Sequence, residues 1–133
     1  MPLIGENRIL VRAGLRALER SRKPGLRSLL ANAGIAPDRR IEAEDISFRI
    51  APRLNSVGRM AEADSGLQLL LATDPHEAQR LADHLENQNA ERRLTDARVY
   101  EDAKKQLRTS LRDDDRVVVL WGDDWHPGVI GIV

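Results

Sequence analysis

The chain has 133 residues, and its 21 basic and 21 acidic side chains give a formal net charge of zero. Cysteine is absent, which excludes disulfides, cysteine-ligated metal centres and a cysteine nucleophile. Only four residues are aromatic, which argues against an all-β sandwich. No apolar run approaches the roughly 20 residues that span a bilayer, and the N-terminus lacks a signal-peptide pattern. We therefore expect a soluble, cytoplasmic, mostly helical chain that is not associated with a membrane.

The charges are unevenly distributed along the chain. Residues 8–59 hold twelve basic and five acidic side chains, whereas residues 60–133 hold nine basic and fifteen acidic ones. Eighteen of the basic residues are arginine, whose planar fork matches phosphate and carboxylate groups. The asymmetry predicts an anionic partner for the first half, although the codon usage of a GC-rich genome also enriches arginine.

Apolar spacing predicts a first helix over about Asn7–Glu19, with Asn7 as its cap. Arginines recur every four residues along this helix and form one stripe, at Arg8, Arg12, Arg16 and Arg20. The stripe is either a solvated face of an amphipathic helix or a ridge that faces phosphate groups.

The next segment alternates short helices with breaks. A helix over about Leu26–Asn32 is predicted to end at Gly34 in the left-handed conformation. Another is predicted over Glu42–Ile50, stopping before Pro52, because a residue that precedes proline avoids helical angles. The turn-forming residues of Arg53–Arg59 predict an irregular segment.

Two further helices are predicted after this break. The first covers Ala61–Ala72, and its predicted core face consists of Leu67, Leu70 and Leu71. The second begins with Asp74 as cap and Pro75 in the first turn, with Glu77 completing a capping box. Helical composition continues to about Leu111, with a possible break at the asparagines of residues 87–89.

The pattern changes near the C-terminus. The β-branched run Val117–Leu120 predicts a buried strand, followed by a loop over Gly122–Gly128. A single strand needs partners for its backbone groups. We therefore expect the sequence to be cut at its C-terminus, with the missing strand partners supplied by further residues or by another chain.

No complete active site is evident from the residues alone. The histidines are His76, His84 and His126; the first two are too far apart in sequence to share a metal. The most distinctive chemistry lies in Phe48–Met60, where two arginines and an asparagine, Arg53, Asn55 and Arg59, occur close together. Arginine forks and an amide suit a phosphate oxygen, although the arginines could equally pair with nearby carboxylates.

This segment, Ile50–Met60, resembles the Pro-Arg-(Ile/Leu)-Asn-Ala-x-Gly-Arg motif of the RecJ family, the single-strand-specific 5′→3′ exonucleases of the DHH phosphoesterase superfamily. Ser56 stands where alanine is usual. Other stretches resemble the family in the same order, namely Pro2-Leu3, Glu6–Arg8, Gly14-Leu15, Leu81-Ala82, Asn89–Arg93 and Trp125–Val133.

The resemblance implies a mostly α fold in three parts. Residues 1–73 would be the C-terminal helical part of the catalytic domain, 74–112 a long connecting helix, and 113–133 the start, with its first β-strand, of an α/β DHH-associated domain. It implies Mn²⁺- or Mg²⁺-dependent hydrolysis of single-stranded DNA to 5′-mononucleotides, with the metal ligands outside this chain, which is expected to be inactive alone. The family also implies repair proteins as partners and a monomeric intact enzyme.

Site residues carry over from the same motifs. Arg59 and Arg53 are expected to hold phosphate oxygens, and Asn55 to orient the segment or contact substrate. His126 either lies near the cleft between the domains or caps its own loop.

Two other functions stay open at this point. One is a non-catalytic helical adaptor that binds nucleic acid, although the basic half has few aromatic residues for base stacking. The other is a different DHH-type phosphodiesterase acting on short oligonucleotides or cyclic dinucleotides.

Overall fold

A computed structural model describes residues 2–60, 64–111 and 115–131, with only the backbone described at 57–60. Its helices are α1 (Gly5–Glu19), α2 (Pro24–Asn32), α3 (Ala43–Asp45), a π-helical turn (Ile46–Ile50), α4 (Ala51–Met60), α5 (Asp64–Leu71), α6 (Pro75–Ser110) and α7 (Pro127–Ile130). The prediction of a mostly helical chain is confirmed. Within the described ranges, no helix is both long and apolar enough to cross a membrane.

The contacts divide the chain into two compact units, Met1–Asn89 and Ala90–Val133. The core of the first unit is formed by apolar side chains from α2, α5, the first turns of α6 and the segments around them: Leu29, Leu30, Ile35, Ile41, Ile50, Leu69, Leu81 and Leu85. The second unit buries Val99 of α6 and Val129 of α7. The predicted domain boundaries at 73 and 112 concern a longer protein and stay a prediction.

Helix α2 lies unusually close to α5. A Cβ atom built on Gly25 would lie 1.7 Å from the backbone oxygen of Leu69, which is fully buried. No side chain fits at that distance, so glycine is required for the two helices to approach.

The ends of several helices agree with the sequence analysis. Asp74 caps α6, its Oδ2 accepting from the backbone N–H of Glu77 at 2.7 Å, and Gly34 adopts φ +70° after α2. The prediction that Asn7 caps α1 is wrong. The helix begins at Gly5 after Ile4, and the Asn7 side chain donates to the carbonyl of Pro2.

Pro52 does not end a helix, and Arg53–Arg59 is not irregular. The π-helical turn Ile46–Ile50 leads directly into α4, and the N–H of Ala51 donates to the carbonyl of Ile46, five residues back. Proline lacks an N–H and its ring crowds the preceding turn. We attribute its tolerance here to the wider π-helical turn before it. The candidate motif is therefore helical.

The core face predicted for α5 is also wrong for two of its three leucines. Leu69 is fully buried, whereas Leu67 and Leu71 are exposed. The short helix is oriented by its contact with Gly25 of α2, which periodicity within α5 alone does not reveal.

Helix α6 runs through residues 87–89 without the break that the asparagines suggested. Asn89 is only 2% exposed. Tertiary packing therefore outweighs the weak helix propensity of asparagine here.

The strand predicted at Val117–Leu120 does not form. In residues 115–131 the structure has no paired strand, and residues 117–121 run as irregular chain. Val117, Val119 and Trp121 are exposed, while Val118 and Leu120 are half-buried. The alternation typical of a strand is present, but the backbone has no neighbouring strand in the described residues with which to pair.

Candidate nucleic-acid interface

The candidate motif occupies α4, and its arginine Arg53 is held inside the first unit. The Arg53 side chain is 13% exposed. Its Nη2 donates to the carbonyl of Asn32 at 3.2 Å and its Nη1 to the carbonyl of Arg49 at 2.5 Å, while Nε donates to the carboxylate of Glu86. One guanidinium thus joins the end of α2, the π-helical turn and α6.

A second polar cluster connects α2 to α6 beside this contact. Asn32 donates to Asp83 Oδ1 at 2.9 Å, and Gln79 donates to the same oxygen at 2.8 Å and to Asn32 Oδ1 at 3.2 Å. Both helices therefore remain connected without Arg53.

The other motif residues differ in their surroundings. Asn55 is exposed on α4, whereas Ser56 is fully buried and donates to the carbonyl of Arg53 at 2.7 Å. Because serine satisfies its hydroxyl within the helix, it fits a site where the family usually has alanine. Arg59 belongs to α4, one helical turn after Asn55, but its side chain lies outside the described part.

The π-helical turn is supported by a buried carboxylate. Asp45 is 4% exposed, accepts from the backbone N–H of Glu42 at 3.0 Å and from Arg39 at 2.9 Å, and lies 3.4 Å from Arg49 Nε. The backbone hydrogen bond from Glu42 lowers the pKa of Asp45, and Arg39 and Arg49 act in the same direction against the opposing effect of burial.

We expect Asp45→Asn to destabilise the protein by about 1–2 kcal/mol at pH 7, because it removes a capping carboxylate and two ion pairs. A lowered folded-state pKa gives stability that is fully present above the ordinary carboxyl pKa of about 3.9 and is lost as the pH falls through the lowered value. Urea unfolding from pH 7 to pH 3 should therefore show the gap between wild type and variant closing only below about pH 4. The control is Asp38→Asn, at an exposed position; a gap that is constant with pH would contradict the account.

His126 lies in the second unit, at the start of α7. Its Nδ1 accepts from the backbone N–H of Gly128 at 3.0 Å. The neutral ring then carries its proton on Nε2, so this atom is a hydrogen-bond donor. The neighbouring Trp125 donates to Asp102 of α6 at 2.9 Å, which fixes the loop before α7. The capping role that the sequence allowed for His126 is present.

The arginine stripe of α1 lies on the surface. Its four members are exposed, and within the described residues none forms an ion pair. The structure therefore favours neither of the two interpretations of the stripe.

A metal site requires several ligand side chains that converge on one point. In the ranges that the structure describes, no three His, Asp or Glu side chains converge on a point where they could hold an ion. His76 and His84 are both exposed on α6. These residues do not fit a site for Mn²⁺ or Mg²⁺.

Sequence reasoning missed Glu86 and Asn32 as partners of Arg53. They are 33 and 21 residues away in the chain, and no local motif indicates such pairs. The role of Asp45 could have been predicted from the sequence, because Glu42 and Asp45 have the spacing of a capping box.

Comparisons with known proteins find matches in sequence and in overall fold. No protein-family model matches the chain. Two relatives are named single-stranded-DNA-specific exonuclease RecJ. The protein of Bacillus subtilis is 35% identical over all of this chain, which covers 17% of that protein. The protein of Thermus thermophilus is 38% identical over 99% of this chain, which covers 19% of that protein. Crystal structures of the Thermus protein match with TM-scores of 0.75 in complex with Mn²⁺, at 38% identity over 98% of this chain and 19% of theirs, and 0.81 with Mg²⁺, at 37% over 99% and 20%.

These relatives are all named as single-stranded-DNA-specific exonucleases, which defines the class that this fold and sequence match. Along its whole length the chain matches one segment of these RecJ proteins. It spans about a fifth of the length of the Bacillus and Thermus relatives.

Proposed function

We propose that this segment is part of a single-strand-specific 5′→3′ DNA exonuclease that hydrolyses phosphodiester bonds and releases 5′-mononucleotides. The observation that carries the proposal is the match to RecJ along the whole chain in both sequence and fold. In this assignment residues 1–73 close the catalytic domain, 74–112 connect, and 113–133 begin the DHH-associated domain.

The segment contributes contacts to the substrate. Arg59 holds a phosphate oxygen, and Asn55, which is exposed one helical turn earlier, contacts the same strand. His126 offers its Nε2 proton to an anionic oxygen. A direct contact of Arg53 with phosphate stays a prediction; two of its five N–H groups are not used by the three acceptors described above.

The resemblance to RecJ implies that the metal ions are held by other parts of the full-length protein. Mn²⁺ or Mg²⁺ would supply activation of the attacking water and stabilisation of the leaving oxygen. The present residues bind and orient the strand. We further propose that the enzyme is monomeric and works in the cytoplasm with DNA-repair proteins.

The test is degradation of a 5′-phosphorylated oligonucleotide by the full-length protein, as a single strand and as a blunt duplex, with Mn²⁺ or Mg²⁺. The single strand should be consumed and the duplex spared, and EDTA should stop the reaction. Salt-sensitive binding without degradation would favour the adaptor function instead. Equal cleavage of cyclic dinucleotides would favour the other DHH-type phosphodiesterase.

A further inference from the structure

Arg53 and its three acceptors form a junction between α4, α2, the π-helical turn and α6. This junction suggests a function for Glu86, which lies outside every motif. Glu86 of α6 is the only carboxylate that contacts Arg53 among the described residues. The other two acceptors are backbone carbonyls, one of which belongs to Asn32, the last residue of α2. A cation favourably satisfies such a free carbonyl at the C-terminus of a helix.

The junction acts on the orientation of α4. Arg53 is the third residue of this helix and uses a rigid planar group, so its three bonds fix both the position and the rotation of the helix start. Asn55 and Arg59 follow on the same short helix. A small rotation at Arg53 would displace both of them relative to the strand.

We propose that Glu86 is a positioning residue for strand cleavage, acting through Arg53 to hold Asn55 and Arg59 in register with the substrate; this rests on the proposed function. The cluster of Asn32, Gln79 and Asp83 keeps α2 on α6 independently. Loss of Glu86 therefore releases α4 while leaving the surrounding core assembled.

The competing possibility is that Arg53 contacts phosphate directly. Glu86 would then compete with DNA for the same guanidinium, and removing its charge would strengthen binding. Only this second possibility predicts tighter DNA binding when the charge of Glu86 is removed; the positioning role predicts an affinity close to that of the wild type.

The experiment measures kcat and KM of the full-length protein on a 5′-phosphorylated single strand, its affinity for that strand by fluorescence anisotropy without metal, and its thermal midpoint. The variants are Glu86→Ala, Glu86→Gln, Arg53→Lys and the double variant Arg53→Lys/Glu86→Ala. Glu77→Gln is the matched control, since Glu77 is exposed on the same helix and its carboxylate forms no hydrogen bond or ion pair with the described residues.

We expect Glu86→Ala to lower kcat by about tenfold or more while KM changes by less than about twofold, as for a misplaced substrate-orienting group. Glu86→Gln keeps an acceptor oxygen and should recover most of the rate. The double variant should be no slower than the slower single variant, because both changes break one contact.

Three results would overturn the proposal and leave the exonuclease function standing. They are a wild-type kcat in Glu86→Ala, tighter DNA binding by Glu86→Ala, and rate losses of the single variants that multiply in the double variant. The proposal is also overturned if the thermal midpoint shows that Glu86→Ala loses rate only because less of it is folded, and if Glu86→Gln does not recover the rate. If the wild-type protein does not degrade single strands, the proposed function itself fails.

Discussion

Replacing Gly25 by alanine should destabilise the 133-residue chain by about 3 kcal/mol or more, the upper range for overpacking a core. The new methyl group would lie 1.7 Å from the backbone oxygen and 2.8 Å from the carbonyl carbon of Leu69. A backbone group cannot rotate away as a side chain can. Helices α2 and α5 must therefore separate and open the core around Leu29 and Leu69.

Urea unfolding followed by circular dichroism measures this effect, and Gly14→Ala is the matched control. Gly14 is exposed within α1, and a Cβ atom there would meet nothing within 4 Å. That substitution should stabilise the chain by about 0.5–1 kcal/mol, because alanine is the better helix former. A Gly25→Ala variant as stable as wild type would show that α2 and α5 do not approach as described.

Replacing Arg59 by alanine should have the largest effect on activity, lowering kcat/KM of the full-length protein by about 10²–10³-fold, as removal of one donor to a developing anion does. The residue belongs to α4 and to the motif that most clearly resembles the family. Single-turnover kinetics on a 5′-phosphorylated strand, together with DNA binding by anisotropy, would separate lost affinity from lost chemistry.

The control for this variant is Arg108→Ala, which removes an exposed arginine from the last turn of α6. Its kcat/KM should remain within about twofold of wild type, since a single exposed charge contributes little at physiological salt. An Arg59→Ala protein with normal turnover and normal affinity for DNA would refute the assignment of Arg59 to the substrate.

The helices could largely be predicted because their signals are local. Asp74 and Pro75 mark the start of α6, and Gly34 follows α2 in the left-handed conformation, each through the chemistry of its own few residues. The helix end predicted before Pro52 was wrong, since the effect of a proline depends on whether the preceding turn is α-helical or π-helical. The run Val117–Leu120 shows that strand composition alone does not form a strand.

The candidate site could be predicted only in part. The motif identified the helix that carries Arg53, Asn55 and Arg59, but the partners of Arg53 depend on how α2 and α6 pack, which no spacing along the chain encodes. The prediction of the buried face of α5 was wrong for the same reason, because that face is set by the contact of Leu69 with Gly25, 44 residues earlier in the chain. Contacts between distant segments are the part that sequence patterns leave open.

The exonuclease assignment stands or falls with the direction in which the full-length protein degrades DNA in the presence of Mn²⁺. Two otherwise identical single strands carry a label on the 5′-terminal or the 3′-terminal nucleotide, and products are followed from the first turnover. We expect the 5′ label to be released at once as a mononucleotide, while the 3′ label stays on a progressively shorter strand. Early release of the 3′ label, or cuts within the strand, would contradict the assignment.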